Sequence, residues 1–150
     1  MTAFTVRRAR TSDLTQLRDV YRRSSLSNDG ERDVLLAHPD YLVWCGDVGP
    51  ESICLVAETD STVIGFATLT ESGELEDLFV VPECKRRGVA SGLVEKLTSQ
   101  AVDRGIDRIE VDANPHALSF YLAAGFVEIG RVATEFGEGI RMVRAMTPTS

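Results

Sequence analysis

Apolar positions recur along the first part of the chain with two different periods, which predict a strand followed by helices. Residues 4–7 alternate apolar and polar side chains, as a strand with one buried face does. Residues 14–24 place their apolar side chains at helical spacing, behind a group of candidate helix caps at residues 11–13. Residues 31–37 have the composition of a short second helix.

Three runs rich in strand-forming residues follow, at residues 52–57, 63–70 and 75–81. The connections between them are short and polar, and strands joined by short turns are antiparallel neighbours. From residue 88 to 104 the apolar spacing becomes helical, and residues 108–113 then predict another strand. A strand, a crossover helix and a further strand in this order predict a parallel unit.

The last part of the chain predicts one more helix and two more strands. Asn114 followed by Pro115 is typical of a helix start, because asparagine caps the first turn and proline fits its first position. Residues 126–134 and 140–145 are predicted strands, with a glycine-rich turn at residues 137–139 between them. The mixture of antiparallel neighbours and a parallel unit predicts the α/β (α+β) class.

Composition favours a single cytoplasmic domain. The chain has 150 residues, 43% of them apolar, which is enough for one domain over residues 1–150 with a sizeable core. No apolar run approaches the roughly 20 residues of a membrane span, and no signal-type apolar segment follows the N-terminal arginines. The three cysteines, Cys45, Cys54 and Cys84, lack a CxxC or Cys/His pattern, which predicts reduced thiols and no metal site.

The overall charge argues against one class of partner. The formal net charge is −7, whereas nucleic-acid-binding proteins usually carry a basic stripe. We therefore expect no nucleic-acid partner, and the absence of a long apolar run predicts no membrane partner. An acidic surface is compatible with a cationic amine, although solubility alone explains it equally well.

A basic turn between a predicted strand and a predicted helix carries the first chemical signal. Residues 85–90 are Lys-Arg-Arg-Gly-Val-Ala and lead directly into the helix. Unpaired backbone N–H groups at a helix start suit a phosphate, and glycine lets the backbone approach it closely. The turn lacks the motifs of a Walker loop and of a dinucleotide fingerprint. By itself it is also compatible with a solvated run of charge.

Two segments together resemble the GCN5-related N-acetyltransferase (GNAT) superfamily. Residues 78–83, Leu-Phe-Val-Val-Pro-Glu, with the Lys-x-x-Gly-x-Ala of residues 85–90, resemble the pyrophosphate loop of that family. Residues 114–126, which contain Asn-Pro-His-Ala, Phe-Tyr and Ala-Gly-Phe in that order, are similar to its second signature. Lys85 stands where the family usually has Gln or Arg. The resemblance implies a single-domain GNAT fold with a mixed central sheet of about seven strands, about four helices, and splayed parallel strands at the centre.

The resemblance also implies acetyl-CoA as the cosubstrate and a set of residues that bind it. The strand before the turn would pair with the pantetheine arm as an added strand does, and the turn would hold the pyrophosphate through its N–H groups. The set implied to bind the cofactor is Leu78, Phe79, Val80, Lys85, Arg86, Arg87, Gly88, Val89, Ala90, Ser91, Asn114 and Tyr121.

The reaction implied is direct attack of a primary amine on the acetyl thioester. The main-chain N–H of Val80 would polarise the thioester oxygen, as an oxyanion donor does. Tyr121 matches the family tyrosine that lies near the sulfur and acts as general acid, and a phenol with a pKa of about 10 is protonated at neutral pH. Simple packing on the helix face is the alternative role for Tyr121.

An acid on the strand before the turn is the candidate base. Regular strand alternation places Glu74 and Glu76 on the face that carries Val80. Asp77 is then expected on the opposite face, with Phe79. We favour Glu76 as the base, with Glu74, Asp77 and the absence of a dedicated base as the alternatives.

The acceptor amine is not specified by the sequence. A small amine or metabolite is favoured over a protein N-terminus, a lysine or another peptide amine, and Tyr21, Tyr41 and Trp44 are candidates for the wall of its pocket. The competing class is a catalytically idle acyl-CoA-binding or sensing domain, against which the intact Tyr121 argues. A strand exposed after the last helix is compatible with a homodimer.

Overall fold

The described chain is a mixture of short strands and helices. The computed structural model describes residues 4–27, 32–44, 51–134 and 137–146. The α-helices in these ranges are α1 (Leu14–Leu26), α2 (Arg32–Ala37), α3 (Val89–Asp103) and α4 (Leu118–Ala123). The strands are β1 (Thr5–Arg8), β2 (Ile53–Thr59), β3 (Thr62–Leu69), β4 (Leu75–Val80), β5 (Arg108–Ala113), β6 (Val127–Thr134) and β7 (Gly137–Ala145). No helix in the described ranges has the length and apolar character needed to cross a membrane.

Two antiparallel sheets meet at one parallel bridge. The first has the strand order β1-β2-β3-β4 and the second the order β5-β7-β6. Glu74 and Glu110 form the bridge between them, and the N–H of Glu110 donates to the carbonyl oxygen of Gly73 at 2.9 Å. Beyond this point β4 and β5 no longer pair, so the two strands splay apart. The predicted α/β (α+β) class is confirmed. Of the predicted parallel unit, β4 and β5 are paired only at this one bridge.

Arg141 forms ion pairs with acids on both sides of the junction between the two sheets. Its guanidinium, on β7, donates to both carboxylate oxygens of Glu74 at 2.6 and 2.9 Å. It also donates to Glu110 and to Asp112 of β5, each at 2.8 Å. Three carboxylates from both sides of the junction therefore share one cation, which leaves this group of side chains net negative.

The helix α3 packs on the first sheet with one apolar face. The residues buried along it are Val89, Leu93, Val94, Leu97 and Ala101, at the spacing that the sequence predicted. The fully buried Leu93 and Leu97 each stabilise the fold by roughly 1.5–3 kcal/mol through apolar burial. Because this packing fixes the axis of α3, it also fixes the position of the basic turn at its N-terminus.

The two hairpin predictions had different outcomes. Asp60 and Ser61 connect β2 to β3 and both have positive φ, at 50° and 65°, as a two-residue type I′ turn requires. The predicted turn at residues 137–139 is wrong, because these residues begin β7 and pair with β6. Residues 135–136, between β6 and β7 in the sequence, lie outside the described ranges.

An ion pair between the half-buried Arg7 and the buried Asp13 connects the first strand to the start of the first helix. Asp13 is 4% exposed, and its two carboxylate oxygens accept bonds from the Arg7 guanidinium at 2.9 Å each. The backbone N–H of Arg10 donates to the same carboxylate at 2.6 Å. Hydrogen bonds from the Arg7 side chain are the main cause that holds the pKa of Asp13 below its usual value.

We expect Asp13→Asn to lower the free energy of unfolding by about 2 kcal/mol at pH 7, because the half-buried Arg7 loses its bidentate partner and keeps Glu58 as its acidic partner. A depressed carboxyl pKa contributes stability above the unfolded value of about 4 and loses it as the pH falls further. The difference between the two proteins should therefore shrink in urea titrations at pH 3.

The matched control is Asp19→Asn, which removes an exposed carboxylate from α1 that lies 3.6 Å from Arg23. This change should alter the free energy of unfolding by less than about 0.5 kcal/mol. A loss for Asp13→Asn that is the same at pH 7 and pH 3 would show that the carboxylate charge is not what stabilises this corner.

Candidate active site

A central cavity of about 520 Å³ opens where β4 and β5 splay apart. It brings together every residue predicted to bind the cofactor except Arg87, and these are Leu78, Phe79, Val80, Lys85, Arg86, Gly88, Val89, Ala90, Ser91, Asn114 and Tyr121. The sequence reasoning missed its other lining residues, which are Ser24, Cys84, His116, Ala117, Ser119 and Phe120. No acidic side chain is among the described residues that line this cavity.

The basic turn forms one end of the central cavity and has an anion-binding backbone. Arg86 and Gly88 both have left-handed φ values, of 64° and 81°. Turns of this kind direct successive N–H groups into one concavity. Gly88 is the cap residue of α3 and no side chain caps the helix, so the first N–H groups of α3 are left for a ligand.

Lys85 adds a fixed positive charge to this end of the cavity. Its ammonium group donates to the hydroxyl of Ser27, just past the end of α1, at 2.7 Å. Nearby, Arg23 of α1 forms an ion pair with Glu83 of the turn that precedes Lys85. These two contacts hold the basic turn against α1.

The free edge of β4 forms the floor of the central cavity. The N–H of Val81 donates to the carbonyl oxygen of Ile64 on β3 at 2.9 Å. Since consecutive N–H groups of a strand point to opposite edges, the N–H of Val80 points away from β3 and towards the splayed gap. The structure thus presents the N–H of Val80 as a donor at the cavity edge of the sheet.

Tyr121 enters the central cavity from α4. Its side chain is 6% exposed and packs edge-on against the rings of Phe120 and Phe126, with centroids 5.1 and 5.2 Å away. Burial raises the pKa of Tyr121 above its ordinary value of about 10. The phenol therefore stays protonated well into the alkaline range, and its O–H is a donor.

Asn114 closes β5 and starts the turn that leads into α4. Its side-chain oxygen accepts a hydrogen bond from the N–H of Ala117 at 3.0 Å, so the predicted helix cap is present. Asn114 also lines the central cavity, where its amide N–H₂ group is an additional donor. The capping and cavity roles are therefore compatible.

A β-bulge changes the expected arrangement of the acids on β4. Thr68 of β3 pairs with Asp77, whereas the next residue, Leu69, pairs with Leu75, so Glu76 is the extra residue. The regular alternation predicted for this strand is therefore wrong between Leu75 and Asp77. The cause is a register shift that depends on the partner strand and leaves no mark on the sequence of β4 itself.

The three acids have different surroundings. The two oxygens of Glu74 are both bonded by Arg141. Asp77 accepts a hydrogen bond from the hydroxyl of Thr68 at 2.6 Å, and burial raises its pKa. Glu76 is exposed. None of the three carboxylates lies among the lining residues of the cavities described for this chain.

A second cavity of about 230 Å³ lies beside the central one. The two share Phe79 and Asn114, so these residues lie where the cavities adjoin. The other lining residues are Tyr21, Ser25, Leu35, Asp112, Ala113, Pro115, Thr134, Glu138 and Gly139. Of the predicted wall residues, Tyr21 lies here, with its ring edge-on to that of Phe79 at 4.9 Å. The side chain of Tyr41 is outside what the structure describes.

Trp44 and the two histidines of the chain have structural or peripheral positions. Trp44 is buried and packs against Phe66 with centroids 4.9 Å apart, so it belongs to the core. His116 is exposed at the rim of the central cavity, and His38 lies outside both cavities. Within the described ranges, no three His, Cys, Asp or Glu side chains are grouped in a way that could hold a metal ion.

Comparisons with known proteins agree with this geometry. The family described as an acetyltransferase (GNAT) domain matches residues 46–147. An aminoglycoside N(6′)-acetyltransferase type 1 from Klebsiella aerogenes is 32% identical over 97 residues, which cover 55% of this chain and 64% of that protein.

Solved structures show the same fold over nearly the full length of the chain. A GCN5-related N-acetyltransferase from Rhodopseudomonas palustris superimposes with a TM-score of 0.76, at 19% identity, covering 97% of this chain and 98% of that one. The PaiA N-acetyltransferase from Thermoplasma acidophilum, in complex with coenzyme A, has a TM-score of 0.72 at 19% identity, covering 96% and 99%.

Proposed function

The chain belongs to the GNAT acetyltransferase family, and we propose that it transfers an acetyl group from acetyl-CoA to a primary amine by direct attack. One observation carries this proposal. The anion-binding turn, the outward N–H of Val80 and the protonated phenol of Tyr121 all border a single cavity. The resemblance on which the family was predicted is confirmed by the family match.

The lining of the central cavity supports acetyl-CoA as the ligand, through its backbone groups and its charge. The left-handed turn at Arg86 and Gly88 offers N–H groups and a floor without a side chain at Gly88, as a pyrophosphate requires. Lys85 and Arg86 supply positive charge, and no acid among the described lining residues opposes it. The free edge of β4 offers backbone groups to an extended pantetheine arm.

Two groups of this chain would act at the reacting centre. Bound acetyl-CoA would supply a thioester that a neutral amine can attack. The N–H of Val80 would donate to the oxygen on which negative charge develops. Tyr121 would donate to the leaving sulfur, and its burial keeps the donor proton in place.

We assign the role of proton acceptor to Glu76, acting through water. Arg141 occupies both oxygens of Glu74, and Asp77 is engaged by Thr68. Glu76 is the exposed bulge residue of β4. Phe79, on the same strand, lines both cavities. Glu76 is therefore the acid of β4 that water can reach most readily.

Glu76→Gln is expected to lower kcat by roughly tenfold or more, because the amide cannot accept a proton. Glu76→Asp should recover most of that loss, since it restores the carboxylate. The control is Glu71→Gln, which removes one exposed charge from the turn before β4 and should leave the rate unchanged. Equal rates for wild type and Glu76→Gln would remove Glu76 from the mechanism.

The acceptor that we favour is a small amine rather than a peptide. The second cavity is narrow, at about 230 Å³, and adjoins the reacting centre through Phe79 and Asn114. The matched relative acts, by its name, on aminoglycosides, which are small-molecule amines. The match spans 64% of that protein. The relative therefore supports a small-molecule amine as the acceptor class, and it does not identify a particular compound.

Two measurements separate this proposal from a nucleotide-binding module and from an idle acyl-CoA sensor. Acetyl-CoA, but not ATP, should raise the melting temperature, because binding to the folded state stabilises it. Release of free thiol on mixing with acetyl-CoA and a panel of primary amines should then exceed the uncatalysed rate. A melting shift without thiol release for any amine would favour the idle sensor.

A further inference from the structure

The two adjacent cavities carry opposite charges. The central cavity is lined by Lys85 and Arg86, with no acid among its described lining residues. The second cavity is lined by Asp112 and Glu138, with no lysine or arginine among the described residues that line it. The residues that line both cavities, Phe79 and Asn114, are uncharged. Two ligands of opposite charge thus fit side by side.

Each acid of the second cavity accepts a hydrogen bond from an arginine through only one of its two carboxylate oxygens. One oxygen of Asp112 accepts from Arg141 at 2.8 Å, and one oxygen of Glu138 accepts from Arg131 at 3.2 Å. A carboxylate has about four acceptor positions, so both acids can accept further bonds. The arginines therefore orient the two carboxylates and leave acceptor positions on them for a ligand.

Aromatic rings complete the second cavity. Tyr21 and Phe79 line it with their rings 4.9 Å apart. Aromatic faces attract ammonium groups and also pack against methylene chains. A flexible chain with an amine at each end suits a small cavity that is lined by both aromatic rings and carboxylates.

We propose that the second cavity is the acceptor subsite and selects diamines, compounds in which one amine reacts while a second, charged ammonium binds Asp112 and Glu138. This inference rests on the proposed acetyl transfer. The reacting amine must be neutral and lie beside Phe79 and Asn114, where the two cavities adjoin and the amine can reach the thioester. The second amine stays protonated, and its attraction to two carboxylates supplies affinity that a monoamine lacks.

The test compares 1,4-diaminobutane with 4-amino-1-butanol, which has nearly the same length but a neutral far end. We expect KM for the diamine to be about fivefold lower or more, with similar kcat. The advantage should fall as salt is raised, because exposed charges are screened.

Two matched pairs of variants locate the effect. Asp112 and Glu110 each contact Arg141, but only Asp112 of the two lines the second cavity. Glu138 and Glu128 each contact Arg131, and of these only Glu138 lines it. Asp112→Asn and Glu138→Gln should remove most of the diamine advantage, whereas Glu110→Gln and Glu128→Gln should preserve it.

The outcomes distinguish this inference from the function on which it rests. Equal KM values for the diamine and the amino alcohol, with both acetylated, would overturn the diamine subsite and leave acetyl transfer intact. The diamine subsite is also overturned if all four variants change KM alike, since a general loss of negative charge would then explain the effect. No acetylation of any amine, with acetyl-CoA still bound, would overturn the proposed function itself.

Discussion

Gly88→Glu is expected to lower the affinity for acetyl-CoA by at least roughly 100-fold. Gly88 lines the central cavity, and a Cβ there would meet no protein atom within 4 Å, so an added side chain would occupy open space at the cavity rather than clash with the protein. A carboxylate there also repels a pyrophosphate. Isothermal calorimetry with acetyl-CoA measures the loss directly.

The control for this variant is Gly105→Glu at the other end of α3. Gly105 has φ 78°, close to the 81° of Gly88, and a side chain there also meets nothing within 4 Å. Both variants bear the cost of about 1–2 kcal/mol for a left-handed residue other than glycine. Gly105→Glu should therefore match the stability loss and bind acetyl-CoA normally. Undiminished affinity in Gly88→Glu would contradict the assignment of the turn.

Tyr121→Phe is expected to lower kcat by roughly 100-fold while acetyl-CoA affinity changes less than about threefold. The variant removes only the hydroxyl, and the ring keeps its packing against Phe120 and Phe126. Because burial raises the pKa of Tyr121, the wild-type rate should show no falling limb from this group up to about pH 10.

Steady-state kinetics and direct binding, measured on the same preparations, separate the two roles considered for Tyr121. A purely packing role predicts a lower melting temperature and little change in kcat. A large loss of acetyl-CoA affinity at unchanged kcat would instead make Tyr121 a binding residue. Either result would remove it as the proton donor.

Local patterns predicted the elements that frame the site. The apolar spacing of α3, the basic turn before it and the cap at Asn114 all depend on neighbours within a few residues, so the sequence is enough to find them. The same is true of the hairpin turn predicted at residues 58–61 between two strongly β-forming runs, which the structure narrows to Asp60 and Ser61.

Features that depend on distant partners were not predictable in this way. The bulge at Glu76 arises from pairing with β3, and Arg141 meets Glu74 across 67 positions of sequence. The second cavity assembles side chains from α1, α2, β5 and the β6–β7 hairpin, which are far apart in the chain. Asp112 and Glu138 belong to no motif, so only the fold reveals that they line one space.

Product analysis tests the central claim most directly. The protein is incubated with acetyl-CoA and a panel of primary amines, and free CoA, N-acetylated amine and acetylated protein are quantified together. Direct transfer predicts equal amounts of CoA and N-acetylated amine for at least one member of the panel, with no acetylated protein when the amine is left out. Bound acetyl-CoA that yields no acetylated amine across the panel, or an acetyl group that accumulates on the protein, would contradict it.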